Sequence, residues 1–302
     1  MTTHQFGASP LWARYSQTTV TEELATDLTE FKSSPENKLS MWDPAVNGVR
    51  YVRSLIFHIG MALSEQNLTR LRAINNRRVG SPITVHINGE PMCMDYLLGV
   101  HELDFIAPHV ALDGARVLEI GAGFGRTCHT LLSNHDIASY TIVDLPSTLA
   151  LSRAYLTEVL TPEQLSRMSF VTIDEAEALF AVSRFDLAIN IDSFAEMTPE
   201  TVTSYLAAID GTCRWFYSVN PVGKYYDPTL DGHSYGPELV NMAMATGPRT
   251  LHEVIDISHS DQVRAKVPAY LDAYRPGAAW QSVADDHHLA YTHYWQGLFR
   301  KA

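Results

Sequence analysis

Three glycines at alternate positions are the clearest chemical signature of this sequence. Gly121, Gly123 and Gly125 follow directly on the apolar run RVLEI. Glycine permits positive φ and lets a ligand approach the backbone with no side chain between them. A second apolar run ends in Asp144, nineteen residues after Gly125 and near the spacing at which a second strand presents an acid to a ribose. The pattern predicts a nucleotide-binding turn; the alternative is a strand-to-helix turn whose glycines serve packing alone.

The glycine spacing distinguishes between two classes of nucleotide ligand. A dinucleotide fingerprint has its third glycine three residues after the second, and Arg126 holds that position here. Glu119 precedes the turn, where a carboxylate would repel an incoming pyrophosphate. A cationic nucleoside without phosphates is therefore favoured, and S-adenosylmethionine is such a ligand.

An acid followed by Gly-x-Gly-x-Gly, as in Glu119 to Gly125, together with the second acid Asp144, resembles the class I (Rossmann-like) S-adenosylmethionine-dependent methyltransferases. The segments EIGAGFGRT, IVDLP, NIDSFAEM, FYSVNP and SPLWARY are similar to proteins grouped as sugar O-methyltransferases. The class resemblance covers about residues 111–302. It implies an α/β fold with a doubly wound, mostly parallel seven-stranded sheet, in which the last two strands form an antiparallel edge.

The resemblance also implies where the cofactor S-adenosylmethionine binds. The polar groups that follow the third strand candidate would lie beside the adenine, and the second acid would bind the ribose. No metal is expected, and a metal at the acid–histidine run 285–288 is a disfavoured alternative. The implied cofactor-binding residues are Glu119, Gly121, Ala122, Gly123, Gly125, Asp144, Leu145, Asp174, Glu175 and Asn190.

Methyl transfer is an in-line displacement that depends on alignment and benefits from a positioned base. The candidate catalytic residues are Asp192 and Glu196, after the fourth strand, and His233, in a polar and aromatic loop. A helix cap, an orienting group and an exposed loop histidine are the respective alternatives. The implied acceptor is a hydroxyl or amine of a sugar-like small molecule. The acidic charge of the chain slightly favours an aminosugar or an aminoglycoside of antibiotic biosynthesis, and the alternative is that this charge serves solubility alone.

Apolar runs and breakers predict two regions. Residues 1–110 carry helical patterns, and we expect this region to cover the substrate site. Residues 111–302 alternate between strands and helices, as a doubly wound cofactor-binding domain does. The helical patterns lie at 18–32, 48–76 and 94–109, and the strands at 116–120, 139–143, 168–173, 185–190, 214–219, 250–258 and 289–299.

Composition narrows the partners and the location of the protein. The net charge of −12, from 34 acids against 22 Lys plus Arg, argues against nucleic acid or an anionic membrane as a partner. The sequence shows neither an apolar stretch long enough to span a bilayer nor a secretory signal, which predicts a cytoplasmic protein. The oligomeric state stays open, with a homodimer as one alternative.

Two other functions fit the same sheet architecture. A nicotinamide-dependent oxidoreductase is disfavoured by Arg126 and Glu119, for the reasons given above. A protein that keeps the cofactor pocket but has lost its activity is mildly disfavoured by the polar groups that follow the fourth strand.

Overall fold

A computed structural model describes residues 8–18, 22, 26, 44–225, 236–289 and 291–302. The chain forms two compact units. The smaller comprises residues 1–62 and 83–93, and the larger comprises residues 63–82 and 94–302. The covering role predicted for residues 1–110 stays a prediction, and the helical pattern at 18–32 lies outside the described residues apart from three positions.

The smaller unit combines helices with a two-stranded hairpin. Helices α1 (Pro10–Thr18) and α2 (Pro44–Met61) precede the antiparallel strands β1 (Val85–Ile87) and β2 (Glu90–Met92). Helix α2 packs on the hairpin at Gly60, where a Cβ atom would lie 2.6 Å from the Met92 sulfur. The absent side chain therefore allows close packing.

The larger unit is built on a seven-stranded sheet with the order β5-β4-β3-β6-β7-β9-β8. Strands β3 to β7 are parallel, and β9 and β8 form an antiparallel edge. The predicted doubly wound, mostly parallel seven-stranded sheet is thus confirmed. The strands are β3 (Arg116–Ile120), β4 (Ser139–Asp144), β5 (Met168–Thr172), β6 (Phe185–Ile191), β7 (Cys213–Pro221), β8 (Trp280–His287) and β9 (Tyr294–Lys301).

Helices cover both faces of this sheet. Because side chains alternate between the faces of a strand, Val117 packs in one apolar cluster with residues of α5 and α6, whereas Leu118 packs in the other with residues of α9 and α11. None of the described helices is long and apolar enough for a membrane span. The helices are α3 (Glu65–Ala73), α4 (Met94–Ile106), α5 (Arg126–Asn134), α6 (Pro146–Val159), α7 (Pro162–Ser166), α8 (Ala176–Val182), α9 (Pro199–Thr212), α10 (Gly236–Met244) and α11 (Ser260–Ala273).

The order of the strands fixes the position of the site. After β3 the chain moves outward through β4 and β5, and β6 then returns to the other side of β3. Ligands of open α/β sheets bind outside the carboxyl ends of the strands at such a reversal. The glycine turn leaves β3 at this point.

The prediction for the end of the chain was partly wrong. Residues 250–258 form a short 3-10 turn and one isolated bridge, at Val254, and the strand next to β9 is β8. Strand β8, WQSVADDH, has exposed side chains at four of its eight positions, so it lacks the apolar run expected of a buried strand. The region predicted as a loop or short helix contains the 14-residue α11, which buries Val263 and Tyr270 despite an internal Pro268.

The helical pattern predicted as one element at 48–76 is two helices. Helix α2 ends at Met61, and α3 begins after Ser64, whose side-chain oxygen accepts a hydrogen bond from the Asn67 amide at 3.1 Å. Serine is a favoured helix N-cap because it satisfies an amide that has no partner within the helix. The hairpin β1–β2 was absent from the predicted elements.

Candidate functional site

The glycine turn after β3 needs glycine for backbone and packing reasons. Gly121, Gly123 and Gly125 have φ of 73°, 58° and 96°, in the left-handed region that other residues avoid. A Cβ atom on Gly121 would lie 2.1 Å from the Ser193 Oγ, whereas one on Gly123 would meet nothing within 4 Å. The turn is therefore closely packed at its first glycine and open at its second.

Asp144, at the end of β4, points its carboxylate at this turn. Its Oδ2 accepts a hydrogen bond from the Gly123 amide at 3.2 Å, and its Oδ1 accepts one from the Leu145 amide at 2.8 Å. Burial raises the pKa of Asp144, and hydrogen bonds from backbone amides oppose this shift. These hydrogen bonds hold the Asp144 carboxylate in place, where it could accept hydrogen bonds from the hydroxyl groups of a ligand.

A cavity of about 390 Å³ opens in front of the turn, within the range of about 300–1,000 Å³ that is usual for small-molecule sites. We call it the glycine-turn cavity. Two of its aliphatic side chains, Leu145 and Ile173, are 51% and 42% exposed, which leaves apolar surface for a planar ring. The cavity is lined by Gly121, Gly123, Val143, Asp144, Leu145, Thr148, Ile173, Ser193, Glu196, Met197, Thr201 and Tyr205.

Glu119, which is buried, and Arg126, which is partly buried, flank the turn in sequence and do not line the cavity. Glu119 accepts a hydrogen bond from the Tyr140 hydroxyl at 2.7 Å, and burial raises the pKa of Glu119 to about 7. Arg126 donates to both carboxylate oxygens of Glu102, at 2.9 and 3.0 Å. His288 also contacts Glu102, at 3.2 Å. These side chains form a polar cluster inside the protein, away from the cavity lining.

Three further predicted cofactor residues lie outside the cavity lining. Glu175 accepts hydrogen bonds from the amide and hydroxyl of Thr172, at 3.1 and 2.8 Å, in a capping box, and Asp174 is exposed beside it. Asn190 is fully buried and donates to the Ile120 carbonyl at 3.0 Å. Asn190 therefore supports the loop below the cavity. The cofactor contacts assigned to these three residues and to Ala122, which is likewise absent from the lining, stay predictions.

The segment 192–197 forms a wall beside the glycine-turn cavity, and we call it the wall segment. It begins at Asp192, whose φ of 67° is rare for a residue with a side chain. The Asp192 amide donates to the Val219 carbonyl at 2.7 Å, and the Asp192 Oδ1 accepts a hydrogen bond from the Tyr294 hydroxyl. A 3-10 turn, Ser193–Glu196, follows. Backbone strain held in place by such contacts is common at functional sites.

A second cavity, of about 730 Å³, lies on the other side of the wall segment. Glu196 lines both cavities and is the one residue common to the two linings. Polar groups of the wall segment, Lys224 from the chain after β7, aromatic rings and apolar side chains of α10 meet here. The second cavity is lined by Asp192, Ala195, Glu196, Pro221, Gly223, Lys224, Tyr225, Leu239, Val240, Ala243, Met244, Thr246, His293 and Tyr294.

The charged groups of the second cavity shift the pKa values of one another. No hydrogen-bond donor of the described residues contacts the Glu196 carboxylate, and burial, with the nearby charge of Asp192, raises the pKa of Glu196. Burial lowers the pKa of Lys224. The Lys224 Nζ donates to the Ala243 carbonyl at 2.8 Å and to the Thr246 hydroxyl at 3.2 Å, so the ammonium is engaged by α10 and the loop after it.

The structure brings Asp192 and Glu196 together, whereas His233 lies outside the described residues. The sequence analysis missed Lys224 and Tyr294. Lys224 follows β7 closely, so the rule that selected residues after strand ends could have found it. Tyr294 could not be found without the start of β9, which pairs with the end of β7 at Pro221. Within the described chain, no group of three or more His, Cys, Asp or Glu residues could hold a metal ion.

No protein-family model matches this sequence, and no curated protein matches it. Among solved structures, the chain is similar to the methyltransferase domain of bacterial CtHen1-C, with 15% identity over 68% of this chain and 96% of that chain, at a TM-score of 0.45. It is also similar to the mitomycin 7-O-methyltransferase MmcR, with 12% identity over 90% of this chain and 70% of that chain, at a TM-score of 0.43.

A third similar structure is fibrillarin from Aeropyrum pernix, solved with natively bound S-adenosyl-L-methionine. It shares 12% identity over 75% of this chain and 86% of that chain, at a TM-score of 0.40. These likenesses concern the fold alone, namely the mixed α/β architecture with a seven-stranded, mostly parallel sheet. They carry no information about the acceptor.

Proposed function

We propose that this protein transfers the methyl group of S-adenosylmethionine to a hydroxyl or amine of a sugar-like small molecule. The observation that carries the proposal is the position of Glu196, between a glycine-turn cavity suited to a nucleoside and a second, larger cavity. A methyltransferase needs such a pair of cavities with a shared boundary, because the methyl group must face the acceptor across a short gap.

The side chains of the glycine-turn cavity fit S-adenosylmethionine. The Asp144 carboxylate would accept hydrogen bonds from the ribose hydroxyls, and the exposed Leu145 and Ile173 offer apolar contact for the adenine. The open backbone at Gly123 allows close approach. Bound there, the cofactor supplies an activated methyl group on a cationic sulfur, and the Glu196 carboxylate at the cavity boundary is favourable for that charge.

The second cavity fits a small ring with one apolar face. The side chains of Leu239, Val240 and Met244 offer apolar contact, and the tyrosine rings offer flat surfaces on which a sugar ring stacks. Asp192 and Glu196 accept hydrogen bonds from hydroxyl or amine groups. A site of this kind holds a sugar by its face and orients it by its polar substituents.

The residues of the wall segment would contribute alignment and a proton acceptor. Alignment of two bound reactants can supply about 7–11 kcal/mol of the barrier, and a positioned base adds about 10²–10⁴ in rate. Glu196 has free carboxylate oxygens, and its raised pKa makes it a better proton acceptor than an ordinary glutamate. Asp192 is held by Tyr294 and is suited to orienting the acceptor.

Mass spectrometry of a panel of sugars and aminoglycosides, incubated with the protein and S-adenosylmethionine, tests this proposal. We expect one panel member to gain one methyl group, and Glu196→Gln to slow the gain by about 10²-fold or more. If every acceptor stays unmodified while S-adenosylmethionine binds, the proposal is wrong and the protein is a cofactor-binding protein without this activity. The cytoplasmic location, the oligomeric state and a role in antibiotic biosynthesis stay predictions.

A further inference from the structure

The second cavity presents two carboxylates whose negative charge is not matched by an ion pair among the described residues. Asp192 accepts a hydrogen bond from the Tyr294 hydroxyl, which is neutral, and Glu196 has no donor among the described residues. Glu196 is exposed at the cavity, and its partial burial together with the nearby charge of Asp192 makes its ionised form less favourable. The site therefore favours a positively charged occupant.

Lys224 also lines the second cavity, but its ammonium group already donates hydrogen bonds to other acceptors. Its Nζ donates to the carbonyls of Ala243 and Ala195, at 2.8 and 3.4 Å, and to the Thr246 hydroxyl, at 3.2 Å. An ammonium has three donors, and these three acceptors account for them. No ion pair joins Lys224 to either carboxylate within the described chain, so Lys224 moderates the negative potential but does not occupy the donor positions in front of Asp192 and Glu196.

Aromatic rings independently indicate a cation at the same place. The Tyr225 and His293 rings lie 4.9 Å apart, and the His293 and Tyr294 rings lie 4.9 Å apart, centroid to centroid. All three residues line the second cavity. The faces of tyrosine rings, here Tyr225 and Tyr294, attract ammonium groups through their quadrupoles, and cages of aromatic rings recognise ammonium ligands. Two features of different physical origin thus favour the same ligand chemistry.

We propose that the acceptor enters the second cavity as an ammonium ion, with its charged nitrogen between Asp192 and Glu196, and that this nitrogen is the atom methylated. The inference rests on the proposed function and narrows its acceptor from a hydroxyl or amine to an amine. Asp192, held by Tyr294, anchors the ammonium, and Glu196 takes its proton.

The step balances in atoms and charge. The Glu196 carboxylate accepts one proton from the ammonium, which leaves a neutral amine with a free lone pair. That lone pair forms the N–C bond to the methyl carbon of S-adenosylmethionine as the C–S bond breaks, and the electron pair of the broken bond stays on sulfur. The products are a methylated ammonium, a neutral thioether and a protonated Glu196, which then releases its proton to water.

Ligand titrations on the full chain, saturated with S-adenosylhomocysteine, test the inference. The two probes are glucosamine and glucose, which differ in one substituent, an ammonium or a hydroxyl, and binding is followed by protein NMR at a pH where the amine is protonated. We expect glucosamine to bind at least about tenfold more tightly than glucose, since hydrogen bonds to charged groups are the stronger class.

Three variants identify the residues that are responsible. Asp192→Asn and Glu196→Gln should each remove most of the preference for glucosamine, and Glu158→Gln, the same change on an exposed position of α6, should keep it. Equal binding of the two probes, tighter binding of glucose, or binding of neither to a protein that binds S-adenosylhomocysteine would overturn the inference and leave the proposed function standing. A protein that does not bind S-adenosylhomocysteine would overturn both.

Discussion

At the scale of single residues, Glu119 is the clearest difference between prediction and structure. The sequence predicted a carboxylate beside the ligand, and the structure shows one buried inside the protein. Its position before the glycines argued against a pyrophosphate ligand. The structure shows a buried carboxyl that accepts a hydrogen bond from Tyr140 and belongs to a polar cluster with Arg126. Sequence spacing placed the residue beside the turn, but which way its side chain points depends on the packing of both faces of the sheet.

The raised pKa of Glu119 predicts a specific pH dependence of stability. Because its pKa is about 7 in the folded protein and its ordinary value is 4.5, the folded state binds more protons between these values, and stability falls as the pH rises through this window. The loss attributable to Glu119 is on the order of 3 kcal/mol. Glu119→Gln should remove this part of the loss, measured as the free energy of unfolding in urea at about pH 5 and about pH 8.

The Gln side chain keeps an acceptor for the Tyr140 hydroxyl, so the variant should be close to wild type at the lower pH. Glu158→Gln on the surface of α6 is the matched control, and it should not change the pH dependence by more than a few tenths of a kcal/mol. An unchanged pH dependence in Glu119→Gln would show that the carboxyl is ionised in the folded protein at ordinary pH values.

The two glycines Gly121 and Gly123 allow a matched comparison. Both have positive φ, so alanine at either position should lower the free energy of unfolding by about 1–2 kcal/mol through backbone strain. Only at Gly121 does the new Cβ also collide with Ser193, whose hydroxyl donates to the Ile120 carbonyl at 3.0 Å. We therefore expect Gly121→Ala to lower the free energy of unfolding in urea by at least about 1 kcal/mol more than Gly123→Ala does.

Gly123→Ala should keep its fold and lose affinity for the cofactor, because its methyl group would project into open space at the turn. Equal destabilisation by the two substitutions would mean that Ser193 moves aside freely. In that case the wall segment would not be fixed by its contact with the glycine turn.

At the scale of elements, the parallel strands were predictable, β9 was predicted in part as the strand at 289–299, and β8 was not predicted. Strand β3 was predicted with the bounds that the structure has. The predicted bounds of β4, β5 and β6 each differ from the structure by one residue, and those of β7 differ by three residues. Strands β3, β4, β6 and β7 are buried on both faces and read as apolar runs, and β5, at one edge of the sheet, is less buried but still carries Phe170 and Val171. Strand β8 is exposed along much of its length, and its sequence contains two acids, so its pairing with β9 was decided by tertiary contacts.

Two residues of the wall segment were predicted to belong to the site, but the backbone conformation of the segment was not predicted. Asp192 and Glu196 were selected because they follow a strand end. The positive φ of Asp192, the 3-10 turn and the contact with Tyr294 depend on β7 lying beside β6 and on β9 lying beside β7. That neighbourhood is a property of the assembled sheet, and single-sequence patterns do not contain it.

Helix α10 should depend on Lys224 for its position over the second cavity. The Lys224 Nζ donates to the Ala243 carbonyl in the last turn of the helix, where a cation also interacts favourably with the helix dipole. Lys224→Met removes these donors and keeps an apolar stem. We expect amide hydrogen exchange in residues 238–244 to become about tenfold faster, since a charged hydrogen bond contributes about 1.5–3 kcal/mol.

The control for this experiment is Lys266→Met, which breaks a surface ion pair with Glu253 and should leave the exchange of α10 unchanged. Unchanged exchange in Lys224→Met would show that α10 is held by the apolar contacts of the second cavity alone. The role assigned to Lys224 would then be wrong.

At the scale of the whole molecule, the fold explains why distant residues form one site. The glycine turn follows β3, and Asp144 is the last residue of β4. The wall segment follows β6, and Lys224 lies shortly after β7. Parallel strands place their carboxyl ends at one edge of the sheet, so these residues meet there. The doubly wound sheet and the edge at which these residues meet were therefore predictable from the alternation of strands and helices along the sequence. The second cavity was not, since it needs α10 and the start of β9.

Calorimetric titration with S-adenosylmethionine tests the central claim most directly, with NADH as the competing ligand. We expect one S-adenosylmethionine per chain to bind, NADH to give no heat, and Asp144→Ala to weaken S-adenosylmethionine binding by at least about tenfold through the loss of charged hydrogen bonds. Glu158→Ala serves as the control, and the melting temperature of each variant confirms its fold. No binding of S-adenosylmethionine at millimolar concentration, or binding of NADH in its place, would contradict the account.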